Sequence, residues 1–472
     1  MLNGATYIRR ELLIRFVRAF DDGTLRDELD RIPVKLRPKD LPSSRCCVYH
    51  DRAVLKYRLM ALLGVAPEEE RDETKSLASY YDDKIARLGA AADGAGGDAA
   101  EAAKPPLSVC GCACSACPDA KIVSTPNCRG CFSRPCTFTC PKKAITVVNG
   151  QSVIDAAKCI KCGKCIAACP YHAIVRTTVP CEEACPVNAI RKNEQGVAEI
   201  DFAKCISCGK CFNACPFSAV LERSQLLDVL AAMKRGDRLV AMVAPAADRQ
   251  FPGKIEQLLA ACVQAGFADV MEVALGAELT TAHETKEFIE RMAADPKALM
   301  TTSCCPAYVN FVKKHLPSFL PHVSETPSPM VYAKGLAQER HPGAKTVFVG
   351  PCVAKRGEAA EKGVDYVLSF EELGAIFAGR KIDVMACAPW PTPRPAAVTA
   401  RNFARSCGVT EAVLDEATKK IPGFKLCAKQ ISGIDKKTLA LLKVYGMGKL
   451  PENFIEVMAC PGGCVNGPCS LR

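Results

Sequence analysis

Cysteine spacing constrains this chain more than anything else in it. Cys159-x2-Cys162-x2-Cys165-x3-Cys169-Pro170 and Cys205-x2-Cys208-x2-Cys211-x3-Cys215-Pro216 share one pattern. Cys128-x2-Cys131-x4-Cys136-x3-Cys140-Pro141 repeats it with two extra residues in the loop. A tight loop of this kind presents three thiolates to three irons of one cubane cluster, and the fourth cysteine reaches a neighbouring cube. The chain holds 30 cysteines in 472 residues. Disulfide-rich secreted proteins use as many, but they are usually short. Residues 1–20 are amphipathic and charged, and Glu11, Arg15 and Arg18 interrupt what a twin-arginine signal after Arg9-Arg10 would need to keep apolar. No run approaches the length of a transmembrane helix. The expectation is a cytoplasmic protein with no membrane span, whose reduced cysteines bind metal.

These runs match the bacterial ferredoxin pattern, which predicts specific partners. Cys128, Cys131 and Cys136 share a [4Fe-4S] cluster with Cys169, while Cys159, Cys162 and Cys165 share one with Cys140. Cys181-x3-Cys185-Pro186 resembles the second half of another such motif, making Cys185 the fourth ligand for Cys205, Cys208 and Cys211. Cys181 and Cys215 are then left, with Cys110, Cys112, Cys114 and Cys117 upstream. Two of those four could complete a fourth cube, Cys114 and Cys117 being favoured by their x2 spacing. Three or four accessory clusters are therefore expected, with zinc the competing metal at Cys110–Cys117.

The formal net charge is +11. Lysines lie along the chain and between the cysteines (Lys142, Lys143, Lys158, Lys161, Lys164, Lys204, Lys210), whereas a nucleic-acid protein would concentrate them in a block with interleaved aromatics. No nucleic-acid partner is expected. Lysines near anionic clusters offset their charge and that of an acidic donor such as ferredoxin.

Four stretches follow from composition and periodicity. Residues 1–87 read as helical, and residues 88–106 as an Ala/Gly linker ending in a Pro pair, expected to be mobile. Residues 107–220 form the ferredoxin-like α+β iron–sulfur region. From residue 225 to 472, strand-like runs at 239–244, 270–275, 298–302, 346–350 and 366–368 alternate with helical patterns. That alternation predicts an α/β catalytic domain, its parallel or mixed sheets flanked by helices.

Three segments of this last stretch are Thr302-Ser303-Cys304-Cys305-Pro306, Gly350-Pro351-Cys352-Val353-Ala354-Lys355 and Met458-Ala459-Cys460-Pro461-Gly462-Gly463-Cys464. Each looks like an apolar strand ending in a loop, where an α/β fold gathers ligands from separate segments. Together they resemble the three signature motifs of the [FeFe]-hydrogenases, the iron-only hydrogenase large subunits, over roughly residue 125 to the end. The resemblance implies an H-cluster between two lobes: a [4Fe-4S] cube plus a diiron subcluster carrying CO, cyanide and an azadithiolate. By position, Cys305, Cys352, Cys460 and Cys464 hold the cube, Cys464 bridging to the diiron unit. Cys304 is the proton-passing thiol, Lys355 donates to a cyanide, and Met458 packs near the bridging ligand. The family's proton route falls on Cys304, Glu284, Ser324, Glu287 and Arg291. The spacing of Glu284, Glu287 and Arg291 puts them on one helical face, which in a helix without this context is usually a solvated one.

The implied reaction is the reversible interconversion of 2 H+ and 2 e- with H2, in an anaerobic monomer served by hydrogenase maturation proteins and a ferredoxin-like carrier. Departures from the better-known members resemble the group B branch. Gly350 stands where many relatives have methionine, Ala246 where many have a small polar residue, and residues 465–469 lack the usual glycine run. Other classes with related motifs are a non-catalytic iron–sulfur assembly factor, which lacks the diiron unit, and a hydrogen sensor with a regulatory domain. Cys46, Cys47, Cys262, Cys387, Cys407 and Cys427 have no ligand-like spacing and read as small core residues, while Cys469 lies ambiguously close to the Cys464 loop.

Overall fold

The computed structural model describes residues 4–42, 46–92, 104–119, 121–392, 394–424 and 426–471. Beyond residue 225 the chain builds two parallel sheets. The first has the order β10-β9-β12-β13, from β9 (Leu239–Val243), β10 (Asp269–Glu272), β12 (Lys345–Val349) and β13 (Tyr366–Leu368). Every residue of β9 is buried between two partner strands, as a continuous apolar run requires. The second sheet has the order β11-β15-β14, from β11 (Met300–Thr301), β14 (Ala428–Ser432) and β15 (Phe454–Met458). The expected α/β architecture is present, with two strand boundaries corrected. The run at 270–275 stops at Glu272, because Ala274 and Leu275 open the long helix Ala274–Ala294, and the run at 298–302 contracts to two residues.

The cysteine-rich region is one iron–sulfur unit nested inside another. Strand β1 (Leu107–Val109) pairs antiparallel with β8 (Val220–Glu222), and between them β2 (Lys121–Ser124) pairs antiparallel with β5 (Ile174–Thr177). The inner unit closes on its own core of Ile122, Ile145 and Ile174, with the hairpin β3 (Ile145–Val148) and β4 (Gln151–Ile154). The outer unit adds β6 (Ile190–Lys192) and β7 (Ala198–Ile200), an antiparallel pair. Residues 121–177 thus interrupt the outer unit between Cys117 and Cys181.

The N-terminal region is helical, with Gly4–Asp21, Val48–Leu62 and Leu77–Ala92 its longest elements. Leu12, Phe16, Val17 and Phe20 are buried in the same core as β9 and the helix Phe370–Gly379. The Arg9 guanidinium donates to Glu371 (2.9 Å) and lies 4.6 Å over the Phe212 ring of the outer iron–sulfur unit. The region therefore clamps both parts of the molecule. The last helix runs to Ala92, five residues into the stretch read as a linker, and residues 93–103 of that stretch lie outside the described ones. No helix among the described residues is long and apolar enough to cross a membrane.

Candidate iron–sulfur and hydrogen-cluster site

The three signature segments meet around one cavity. Cys304 and Cys305 follow β11, Cys352 follows β12, and Cys460 and Cys464 follow β15, so all leave the C-terminal ends of parallel strands. Pro306 opens the helix Pro306–His315 directly after Cys305, and Gly462 and Gly463 turn the last segment at φ 78° and 99°. The cavity between them is lined by Cys304, Cys305, Cys352, Cys460 and Cys464 and by Lys355, Met330, Phe348, Phe403 and Met458. The lining is largely apolar. Burial raises the thiol pKa values of Cys305, Cys352 (to about 11), Cys460 and Cys464, and neighbouring thiols push the last three further. Four buried thiols facing one another are costly to ionise alone, and a multi-iron cation cluster would relieve that cost. The donor set and the dry lining fit such a group.

Lys355 reaches this cavity from the first turn of the helix Ala354–Lys362. Its Nζ donates to Ser328 Oγ (3.0 Å) and Glu358 Oε2 (2.6 Å). Burial lowers its pKa, but the Glu358 carboxylate outweighs that and holds it charged. Gly350 has a steric reason: a Cβ there would lie 2.6 Å from the Phe348 ring, which lines the cavity. Ala246 lines it too.

The proposed proton-route residues come together behind Cys304, whose remaining exposed surface is to the cavity. Burial raises its thiol well above the usual value, and Glu284 adds to the rise. Glu284 is wholly buried, neither of its oxygens has a hydrogen-bond partner among the described residues, and burial followed by Glu287 lifts its pKa to about 8. The Ser303 amide and Ser324 hydroxyl oppose that rise only weakly. Ser324 Oγ donates to Glu287 Oε2 (2.6 Å), and Arg291 Nη2 to Glu287 Oε1 (2.6 Å). Two donors were not anticipated, Thr326 Oγ1 (2.8 Å) and the Glu325 amide (3.0 Å). Burial would raise Glu287, but these donors outweigh it and hold the carboxyl below the usual range. Arg291 is anchored by Pro321 O (2.9 Å) and Val323 O (3.1 Å) at the outer end. The 2.6 Å bonds bring Ser324, Glu287 and Arg291 together, while the Glu284–Ser324 step is unbonded.

Sixteen of the remaining cysteines gather in four groups. Cys136 has Cys131 and Cys169 as charged neighbours, with Cys128 on the same loop. Cys165 has Cys159, Cys140 and Cys162. Cys211 faces Cys208, Cys205 and Cys185. The fourth group is Cys114, Cys117, Cys181 and Cys215, which line one small cavity. The quartet Cys110–Cys117 does not converge: Cys110 and Cys112 turn their sulfurs to each other (3.3 Å) against the helix Val48–Leu62. Among the described residues no group of three His, Cys, Asp or Glu is gathered closely enough to hold a single ion.

A four-fold repeat ties these groups together. In Cys140-Pro-x-x-Ala144, Cys169-Pro-x-x-Ala173, Cys185-Pro-x-x-Ala189 and Cys215-Pro-x-x-Ala219 the alanine amide donates to the cysteine sulfur at 3.2–3.4 Å. The residue before each alanine (Lys143, His172, Asn188, Ser218) has positive φ. Cys-Pro-x-x-Ala was the available signal that Cys181–Cys185 is half of a complete unit. Cys208 also lines the main cavity and neighbours Cys460, which joins the outer unit to the central site. Gly209 permits that approach, since a Cβ there would meet Pro468 at 2.6 Å.

Of the cysteines read as core residues, only Cys262 is buried among them. Cys46 and Cys427 are exposed, Cys47 and Cys387 are partly exposed, and Cys407 starts the helix Gly408–Lys420 at φ 76°. Absence of a ligand spacing says nothing about burial, and a small polar thiol is tolerated at a helix start or surface. Cys469 is buried and donates to Glu222 (3.2 Å), apart from the cavity lining.

Residues 237–468 match the family described as iron only hydrogenase large subunit, C-terminal domain. Residues 177–219 match a 4Fe-4S dicluster domain, and residues 152–174 a 4Fe-4S binding domain. The periplasmic [Fe] hydrogenase large subunit of Nitratidesulfovibrio vulgaris is 29% identical over 45% of this chain and 61% of its own. Iron hydrogenase 1 of Clostridium pasteurianum is 27% identical over 69% of this chain and 66% of its own. A probable cytosolic Fe-S cluster assembly factor of Aedes aegypti is 27% identical over 43% of this chain and 54% of its own. The chain therefore spans less than two thirds of the length of each of these relatives.

Proposed function

We propose, from the premise that this chain belongs to the iron-only hydrogenase large-subunit family through residues 237–468, that it is a [FeFe]-hydrogenase interconverting protons and electrons with H2. One observation carries the reading: Cys304 and Lys355 line the same apolar cavity as Cys305, Cys352, Cys460 and Cys464, with the buried carboxyl of Glu284 behind Cys304. A cluster-assembly protein needs the four thiols alone.

In this reading Cys305, Cys352, Cys460 and Cys464 hold the H-cluster, which supplies heterolytic H2 cleavage when bound. Lys355, kept charged by Glu358, offers a charge-assisted donor to an anionic ligand, and Met458 and Phe348 keep water from the site. Cys304 carries a proton between the cavity and Glu284. A carboxyl with a pKa of about 8 can both accept and release a proton near neutrality. Ser324, Glu287 and Arg291 continue the path outward. Cys185, Cys205, Cys208 and Cys211 would hold the accessory cluster nearest the cavity, through Cys208, and the other three groups would hold clusters that supply electron transfer to a ferredoxin-like carrier. Hydrogenase maturation proteins would install the diiron unit in an anaerobic, cytoplasmic monomer.

The assembly-factor reading stands as the second, because such factors match this chain at the identity its hydrogenase relatives do. Infrared spectroscopy of anaerobically matured protein separates the two. CO and cyanide bands that shift under H2 are expected; a full [4Fe-4S] complement without those bands would move the chain to cluster assembly.

A further inference from the structure

The inner iron–sulfur unit carries a surface that its own fold does not use. Residues 121–177 contain nine Lys or Arg and one acidic residue, Asp155, so eight of the net +11 charges sit in this insert. The excess comes from the scarcity of acidic residues, since lysines and arginines remain spread along the chain at nearly the same density inside and outside the insert. Arg129, Lys142, Lys143 and Lys164 are exposed, with no carboxylate partner among the described residues. Even two anionic clusters leave such a unit basic.

Two phenylalanines stand out within this charge. Phe132 is 104% exposed and Phe138 87% exposed. Phe132 follows Cys131 directly, in the loop lengthened by two residues, where Arg134 has a left-handed φ of 40°. Phe138 lies on the helix Pro135–Thr139 that carries buried Cys136. Burying a phenylalanine is worth about 1.5–3 kcal/mol, so neither position contributes its apolar surface to this fold. Exposed aromatics within a strongly basic unit are the composition of an interface that steers an anionic partner and then dries the contact.

We propose that the inserted unit is the docking platform for an acidic one-electron carrier protein, seated on Phe132 and Phe138 beside the Cys128/Cys131/Cys136/Cys169 cluster. Charge complementarity selects an acidic occupant, and contact at the loop holding Cys131 brings a redox centre next to another. Nucleic acid would match the charge but gains nothing from that adjacency. One electron leaves the carrier's reduced cluster and one enters the accessory cluster, with no bond or proton change. The inference rests on the proposed function only in that [4Fe-4S] clusters fill these sites.

The test uses the full-length, cluster-loaded protein and an acidic plant-type [2Fe-2S] ferredoxin, with affinity measured by calorimetry across a salt series. Phe132→Ala with Phe138→Ala, and separately Arg129→Glu with Lys142→Glu, should each weaken binding about tenfold. Iron content should stay at the unsubstituted level, and the charge pair should also flatten the salt dependence. Lys436→Glu with Lys437→Glu, exposed and outside the insert, serves as the control and should leave affinity unchanged. Binding that ignores the insert variants, or an insert that holds a single-stranded oligonucleotide and no ferredoxin, would overturn the proposal. Insert-dependent binding without H2 turnover would support it while overturning the hydrogenase reading alone.

Discussion

Glu284 is a carboxyl buried without a hydrogen-bond partner among the described residues, and its protonation is linked to folding. Its folded pKa of about 8 lies above that of an unfolded glutamate, so between these values the native state binds more protons. Stability must then fall as pH rises through that window and level off above it. Glu284→Gln should remove this component, giving a smaller loss of denaturation midpoint between pH 5 and pH 8; an unchanged slope would show that Glu284 titrates normally. The same substitution should suppress H2 turnover with the cluster bands intact. Lys355 presents the opposite situation, an almost buried charge satisfied by Glu358. Lys355→Met strands that carboxylate and should cost about 3 kcal/mol in urea unfolding. Adding Glu358→Gln should recover most of it, and a double variant as unstable as the single one would contradict the pairing.

Elements meet closely where the outer iron–sulfur unit touches the C-terminal loop. Gly209, at φ 72°, lies under Pro468 and Val353, leaving no room for a Cβ. Gly209→Ala should lose about 1–3 kcal/mol from strain and clash together. Pro468→Ala in that background should return part of it, and strict additivity of the two would mean that the contact is not the cause. The cysteine groups predict a stoichiometry at this scale. Cys181→Ser should release about four irons per chain, although Cys181 lies outside every complete sequence run. Retention of all iron would leave Cys114, Cys117 and Cys215 without a cluster role.

At the scale of the molecule, the nested insert and the N-terminal clamp should respond oppositely to removal. Lys121 and Thr177 are paired partners, so the two ends of the insert leave the outer unit side by side. Replacing residues 121–177 with a short Gly-Ser linker should lower iron by about eight per chain and leave cooperative unfolding of the remainder intact. Removing residues 1–92 should instead expose the core face met by Leu12, Phe16 and Phe20, giving aggregation or an uncooperative melt by circular dichroism. A well-folded protein without that region would show that the clamp is dispensable.

Sequence by itself determined which cysteines belong together, because the ferredoxin-type motifs are written in local spacing. Two full cysteine runs, together with Cys185 and three cysteines of the third run, put twelve positions into groups that the folded chain brings together, and the strand-to-loop segments at Cys304, Cys352 and Cys460 marked one shared site. The nested order was decided only by tertiary structure. Cys117 and Cys181 are 64 positions apart, and nothing local states that β1 pairs with β8 around a second closed unit. The same holds for the Phe348 ring against Gly350, for Thr326 on Glu287, and for the N-terminal helix in the core around β9. Those contacts join residues remote in sequence, and their energies come from desolvation and close packing, which exist only once the surfaces meet.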